Sequence, residues 1–347
     1  MIRCQHSLLD LDEMAKLFYR EIHREFDILN KLSARPLDEI SPVMAYLHNN
    51  LPEIIKGRPE RLEFHALQIS PLLVAAKTNY DLANPIITVN GVILSIAKRK
   101  QYITKWAKDE IRLIFNYDFN NSSFSSRHDG ALAYRHAKRL SMNTCSYCNS
   151  YFTFTIKNKR TKTRPQFDHF LDKSRHPYLA LSFYNLVPSC PVCNSTGVKG
   201  TTLFSISSHL HPFVDSMDGA YQFRTNVGAV DFLVNGADFE LLLRPKLGAN
   251  RAEKKKALGS IKSLALNDRY KFHKDLAHDI IKKAYFYNNS TVESLFTSFV
   301  VGGVNVFASE SEIKELVMGN YMHPDHFHKR IFSKLTKDIS EEFGLTI

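Results

Sequence analysis

Two Cys-x-x-Cys pairs, Cys145/Cys148 and Cys190/Cys193, constrain this chain more than any other feature of its sequence. In a reducing compartment such pairs seldom form structural disulfides, and two of them together can supply the four thiolates of a tetrahedral zinc site. The alternatives are four ordinary buried cysteines or a redox pair, but two pairs of identical spacing favour zinc. We therefore predict that the pairs meet around one zinc ion, with Cys4 left over.

The charge of the chain suits a polyanionic partner. The 347 residues carry a formal net charge of +11, and lysines and arginines gain affinity for phosphate chains by releasing condensed counterions. From composition alone, a soluble basic protein without such a partner is an equally weighted alternative. No segment approaches the roughly 18 apolar residues that a membrane span requires. Asp10, Asp12 and Glu13 stand where a secretory signal needs its apolar region, so we expect the protein in the cytoplasm.

Hydrophobic periodicity divides the chain into three predicted regions. Residues 1–140 are mainly helical in pattern and end in or just after a polar stretch at 120–130. Residues 141–220 carry the cysteine pairs and short strand patterns. Residues 221–347 are predicted to form a hairpin followed by helices.

Three local patterns give sharper structural predictions. Asp10 and Glu13 resemble a capping box that begins the first helix. Alternating apolar residues over 151–156, followed by PQFDHF, predict a β-hairpin that enters the site. Asn235-Gly236 lies between alternating apolar residues, which predicts a two-residue type I′ hairpin turn.

Polar side chains between the cysteine pairs suit the hydrolysis of a phosphodiester. Such a site must deprotonate water while it stabilises charge on the phosphorane and on the departing oxygen. The neutral imidazole of His169 suits the first task. The Asp168 carboxylate and the Asn194 amide offer the hard oxygen ligands that magnesium or manganese prefers. Because adjacent strand residues point apart, Asp168 and His169 can both serve only where the strand ends in a bent loop.

That loop needs support, and Asn185 is the candidate, because one amide can both donate and accept hydrogen bonds to the loop backbone. Three basic residues are candidates for contacting the phosphates on either side of the scissile bond: Lys173, Arg175 and Lys199. A solvated basic face is the equal alternative for each of them.

The motifs D-H-F-L-x-K-S, Y-N-L-x-P-S-C and C-N-S-x-x-x-K-G resemble the signature of HNH (ββα-metal) endonucleases of the four-cysteine zinc variant. The resemblance covers about residues 145–200. It implies that Asp168 and Asn194 ligate one catalytic Mg²⁺ or Mn²⁺ ion. It also implies that His169 is the general base and that Asn185 orients the loop. The zinc held by the four cysteines would then be structural and remote from the chemistry.

The resemblance further implies the fold class: an α+β protein with a small ββα-metal module and a Cys4 zinc site, flanked by mainly helical N- and C-terminal regions. Cys193 and Asn194 are expected to open the helix of that module. Asn194 stands where the family name implies histidine, a variant that favours magnesium-like ions over transition metals. Asp172 stands where many relatives have proline, which removes no catalytic group.

A looser resemblance connects residues 211–215 and 320–345 to HNH proteins encoded beside an ATPase in bacterial antiphage systems, namely the Septu systems and their retron-linked relatives. We therefore predict an endonuclease that cuts nucleic acid, DNA more than RNA, as the effector of a defence system controlled by such an ATPase. The alternative is a zinc-stabilised nucleic-acid-binding module without catalysis. A pure binder has no use for Asp168, His169 and Asn194 at these positions, which favours catalysis.

Overall fold

The structure is a computed structural model that describes residues 1–228, 232–235 and 239–347. About half of these residues are helical, and the strands form five two-stranded antiparallel sheets. The predicted mixed α+β class is therefore confirmed at this coarse level.

The N-terminal part of the chain is helical, as predicted, and contains one small hairpin. Its elements are α1 (Leu8–Phe26), α2 (Ile28–Ser33), α3 (Ser41–Asn49), α4 (Leu51–Lys56), α5 (Pro59–Ala83), β1 (Thr88–Val89), β2 (Val92–Ile93), α6 (Ile96–Ile114) and α7 (Arg127–Leu140). The predicted capping box is displaced by one turn, because the Ser7 hydroxyl accepts the Asp10 amide hydrogen bond at 3.1 Å. Serine at this position satisfies an amide that the first helical turn leaves unpaired.

Helix α1 supports the segment that leads into the site. It buries an apolar stripe that includes Phe18, whose ring packs against Phe183 with centroids 5.8 Å apart. The neighbouring Tyr184 donates its hydroxyl to Asp12 of the same helix at 2.6 Å. These contacts fix the backbone just before Leu186, where the second strand of the sheet that carries Asp168 and His169 begins.

The central part of the chain contains two short strand pairs. They are β3 (Ile156–Lys157) with β4 (Lys162–Thr163), and β5 (Gln166–His169) with β6 (Leu186–Ser189). The predicted pairing of residues 151–156 with PQFDHF is wrong, because β3 pairs with β4, which lies within the predicted turn. Residues 151–155 lie outside any strand, and Tyr151, Phe152 and Phe154 are about half exposed. Strand β5 pairs with β6 instead, with His169 opposite Leu186.

The C-terminal part begins with a longer hairpin and continues as helices. Its elements are β7 (Tyr221–Val227), α8 (Phe232–Asn235), β8 (Phe239–Pro245), α9 (Arg251–Ser263), α10 (Leu266–Tyr270), α11 (Lys274–Phe286), α12 (Asn289–Ser298), β9 (Val300–Val301), β10 (Val304–Asn305), α13 (Glu310–Met318) and α14 (Ser333–Glu342). Strands β7 and β8 confirm the hairpin. The strand expected immediately before the predicted Asn235-Gly236 turn is absent, since Phe232–Asn235 is helical. Gly236 itself lies outside the described residues.

Buried hydrophobic side chains from all three predicted regions belong to one continuous cluster, which reaches from Leu11 of α1 to Ile339 of α14. Residues of the β5–β6 sheet and both cysteine pairs belong to this cluster. In the described part of the chain, no helix combines the length and the apolar composition that crossing a bilayer requires.

Candidate metal centre and adjoining cleft

The two cysteine pairs meet in one buried cluster. The Sγ atoms of Cys145, Cys148, Cys190 and Cys193 all lie within 4.8 Å of one another, and those of Cys148 and Cys190 are 3.9 Å apart. None of the four cysteines forms a disulfide. Zinc–sulfur bonds of about 2.3 Å place tetrahedral sulfur ligands roughly 3.8 Å apart, so the arrangement fits a metal ion such as zinc. The predicted four-cysteine site is confirmed to this extent.

Backbone amides in the turns point at the sulfur atoms. The Cys190 amide donates to Cys145 Sγ at 3.2 Å, and the Cys193 amide donates to Cys190 Sγ at 3.4 Å. The Ser150 amide donates to Cys148 Sγ at 3.5 Å. Donors of this kind stabilise thiolate charge, which is the state that binds a metal.

Two residues of the C-terminal helices complete the surroundings of the cysteine cluster. Arg269 Nη1 donates to Cys193 Sγ at 3.1 Å, and the buried Tyr270 hydroxyl donates to the Cys148 carbonyl oxygen at 2.5 Å. Four thiolates around Zn²⁺ carry a net charge of −2, which the Arg269 guanidinium partly offsets. Sequence reasoning missed both residues, because they lie far along the chain and belong to no local motif.

A cleft of about 360 Å³ lies beside β5 and the turns that follow the second cysteine pair. Of the predicted site residues outside the cysteine pairs, it brings together five: Asp168, His169, Asn194, Lys173 and Lys199. Asp168 and His169 both line the cleft although they are adjacent, because β5 ends at His169 and the chain bends at Phe170. Asn185 and Arg175 do not line it.

The Asp168 carboxylate is buried and has two side-chain partners. Lys199 Nζ lies 2.9 Å from Oδ1, and the Tyr147 hydroxyl donates to Oδ2 at 2.5 Å. Lys199 also donates to the His169 carbonyl oxygen at 2.8 Å, and its side chain is only 2% exposed. Lys199, predicted as a phosphate contact, is thus engaged with the carboxylate and backbone of the site.

The His169 ring is held in one orientation. Its Nε2 lies 3.0 Å from the Ala180 carbonyl oxygen, so we assign the proton to Nε2, which leaves Nδ1 as an acceptor. The Tyr117 ring packs edge-on against the imidazole at 4.5 Å. Burial, with the nearby charge of Lys173, lowers the pKa of His169 to about 3. The imidazole is therefore neutral near pH 7.

Asn185 binds the loop that follows His169. Its Oδ1 accepts from the Leu171 amide at 2.7 Å, and its Nδ2 donates to the carbonyl oxygens of Leu171 and Leu179 at 3.0 Å each. The Asn185 carbonyl also accepts from the Phe170 amide at 3.1 Å. One buried side chain thus joins two segments that flank the cleft.

Asn194 lies at the edge of the cleft, in a series of turns. Its Nδ2 donates to Gln166 Oε1 at 2.9 Å, and Oδ1 has no donor in the described part of the chain. The helix expected to begin here is absent, since residues 191–201 form turns. Ser195, Gly197 and Gly200 explain this, because serine and glycine weaken helices and Gly200 has a φ of +49°.

The two remaining basic candidates differ in position. Lys173 forms an ion pair with Asp118, and its ammonium lies 4.8 Å from the centroid of the Tyr117 ring at the cleft. Arg175 is exposed on the turn after Asp172, outside the cleft lining.

The structure adds cleft residues that the motif did not include. Tyr117 and Arg164 line the cleft from outside the motif, and Gln166 lines it from the start of β5. Tyr147 lies within the first cysteine pair, where its aromatic character between two ligands was the available signal.

A scan against protein-family models finds no match for this chain, and searches of the curated proteins and of the solved structures find none either. The fold and the site define a mixed α+β protein with a buried four-cysteine cluster that could hold a metal ion.

Proposed function

We propose that this chain is a metal-dependent endonuclease that hydrolyses phosphodiester bonds of nucleic acid, DNA more than RNA. The observation that supports the proposal is the convergence of Asp168, His169 and Asn194 in one cleft beside the four-cysteine cluster. The cleft lining carries three basic residues, Arg164, Lys173 and Lys199, against the two carboxylates of Asp168 and Asp172, and this small excess of positive charge suits a polyanionic substrate. The defence role and the controlling ATPase stay predictions from the looser resemblance.

In the proposed reaction, His169 is the general base. Nδ1 takes a proton from water as the water oxygen forms a bond to phosphorus and the bond to the leaving oxygen breaks. The Ala180 carbonyl supports this role, because it holds the Nε2–H and so leaves the Nδ1 lone pair available. Asn185 is a positioning residue, since it fixes the loop after His169 by its bonds to Leu171 and Leu179.

Asp168 and Asn194 are the proposed ligands of the catalytic Mg²⁺ or Mn²⁺ ion. Both offer hard oxygen atoms to the cleft, and the Asn194 Oδ1 is free of donors among the described residues. Such an ion would stabilise charge on the phosphorane and the leaving oxygen. It would compete with the Lys199 ammonium for Asp168 Oδ1.

The alternative is a zinc-stabilised module that binds nucleic acid without cutting it. The buried ion pair between Asp168 and Lys199 favours this alternative, because the lysine already neutralises the carboxylate. A binding module would keep the basic cleft and the cysteine cluster but would need no free base.

Cleavage assays distinguish the two functions. We expect supercoiled plasmid, or labelled single-stranded DNA or RNA, to be cut with Mg²⁺ or Mn²⁺. His169→Ala should lower cleavage at least 100-fold, because the base is lost. His328→Ala, at a buried histidine outside the cleft lining, is the matched control and should keep wild-type activity.

Zinc content and circular dichroism of each variant should match those of the wild type. Equal cutting by wild type and His169→Ala would reject His169 as the base. Binding of nucleic acid by both, with no cutting in any metal, would favour the binding module.

A further inference from the structure

A second cavity of about 280 Å³ adjoins the catalytic cleft, and the two share Tyr117 and Lys173 in their linings. Its walls are largely apolar and include Phe115, Pro177 and Ala180. Ala180 is also the residue whose carbonyl holds the His169 ring. The cavity is therefore the immediate neighbour of the proposed base.

Phe119 and Arg112 present flat surfaces in this second cavity. The Phe119 side chain is 40% exposed, whereas Phe115 is buried. The Tyr117 ring is covered by Phe124, stacked at 5.6 Å, and by the Lys173 ammonium. The Arg112 guanidinium lies over one face of the Phe119 ring, 5.2 Å from its centroid, so the 40% exposure of Phe119 leaves the rest of the ring available for stacking. Aromatic rings and guanidinium planes are the groups on which unpaired bases stack in nucleic-acid-binding proteins.

The charges around the second cavity are mostly positive. Lys108, Arg112 and Lys173 line it, and Asp118 is the one acidic residue among its described lining residues. Asp118 forms an ion pair with Lys173 and lies 3.8 Å from Arg112. The lining thus keeps a net positive charge, which suits a ligand attached to phosphates.

We propose that this cavity binds one unpaired nucleobase of the substrate, next to the phosphodiester in the catalytic cleft. The inference rests on the proposed function and specifies its substrate as single-stranded or locally unpaired nucleic acid. A volume of about 280 Å³ is near the lower bound, roughly 300 Å³, of small-ligand sites, which suits one planar base. Bases inside a duplex are stacked on their neighbours and reach such a pocket only when extruded.

Fluorescence anisotropy with labelled 12-nucleotide single strands and the matching duplex tests the proposal, without added divalent cation and with probe integrity checked on gels. Phe119→Ala should lower single-strand affinity about 5- to 100-fold, because one stacking surface is lost. It should change duplex affinity less than twofold. Phe119→Tyr should restore single-strand binding, because tyrosine offers an equivalent ring.

Phe286→Ala is the matched control, since Phe286 is an exposed phenylalanine outside both linings and should bind like wild type. Equal losses on both probes, or no loss by Phe119→Ala, would overturn the base pocket. Absence of any nucleic-acid binding would overturn both the pocket and the proposed function. Selective single-strand binding without cleavage would keep the pocket and reject the nuclease.

Discussion

At the scale of single residues, Asn185 ties the loop after His169 to the segment at Leu179. An amide there satisfies one backbone donor and two backbone acceptors, at Leu171 and Leu179, that burial would otherwise leave unpaired. Aspartate could not donate to the carbonyls, and alanine could make none of the bonds. The site asparagine is thus also a structural residue, and its loss would affect stability as well as cleavage.

We expect Asn185→Ala to lower the free energy of unfolding by about 2–4 kcal/mol, because it leaves buried backbone groups unpaired. Urea denaturation followed by circular dichroism measures the change. Asn121→Ala, at an exposed asparagine, should change stability by less than about 0.5 kcal/mol. Equal stability of the two variants would contradict the assigned role of Asn185.

At the scale of elements, the cysteine cluster joins three parts of the chain that none of the described sheets connects. The first pair lies between α7 and β3, the second pair follows β6, and α10 contributes Arg269 and Tyr270. Asn149, which follows the first pair, adopts a left-handed φ of +55° and donates to the Phe327 carbonyl oxygen at 3.0 Å. A bound metal would therefore hold these elements together.

We expect the purified protein to contain about one zinc ion per chain, and Cys193→Ser to lose it, because oxygen replaces a thiolate ligand. Atomic absorption measures the zinc, and a thermal melt should show the variant destabilised. Cys4→Ser is the matched control, since Cys4 is also buried and free but lies outside the cluster. Equal zinc in both variants would exclude the cluster as the binding site.

At the scale of the whole molecule, a charge network attaches the C-terminal helix α14 to the centre of the chain. Lys334 and Lys337 of α14 lie 3.1 and 3.3 Å from Asp218 Oδ1. Lys334 also pairs with Asp338 at 2.8 Å, and Asp338 accepts from the Phe223 amide of β7 at 2.8 Å. Removing one member of such a network leaves a buried charge without its partner, which destabilises the folded state.

Asp218 gives this network a pH dependence. Burial raises the pKa of Asp218, but Lys334, Lys337 and Lys246 outweigh it and lower the value to about 2. Because the folded pKa lies below the unfolded value of about 3.9, the stabilisation is present above pH 4 and is lost as the pH falls toward 2. Asp218→Asn should cost about 2 kcal/mol at pH 7 and almost nothing near pH 2.

Urea denaturation between pH 2 and 7 measures this difference. Asp268→Asn, at a 75% exposed ion pair with Lys271, is the control and should change stability little at any pH. A constant difference between wild type and Asp218→Asn over the whole range would contradict the network.

The four-cysteine cluster could be predicted from the spacing of the cysteines, and the helical regions from apolar periodicity, whereas the mixed α+β class was implied by the motif resemblance over residues 145–200. Repeated Cys-x-x-Cys spacing and apolar periodicity are local properties, so they can be recognised without knowing the fold. Three features could be seen only in the folded chain: the pairing of β5 with β6, the contact of Lys199 with Asp168, and the contact of Arg269 with Cys193. These features depend on burial and on partners distant along the chain, and neither can be recognised from a local sequence pattern.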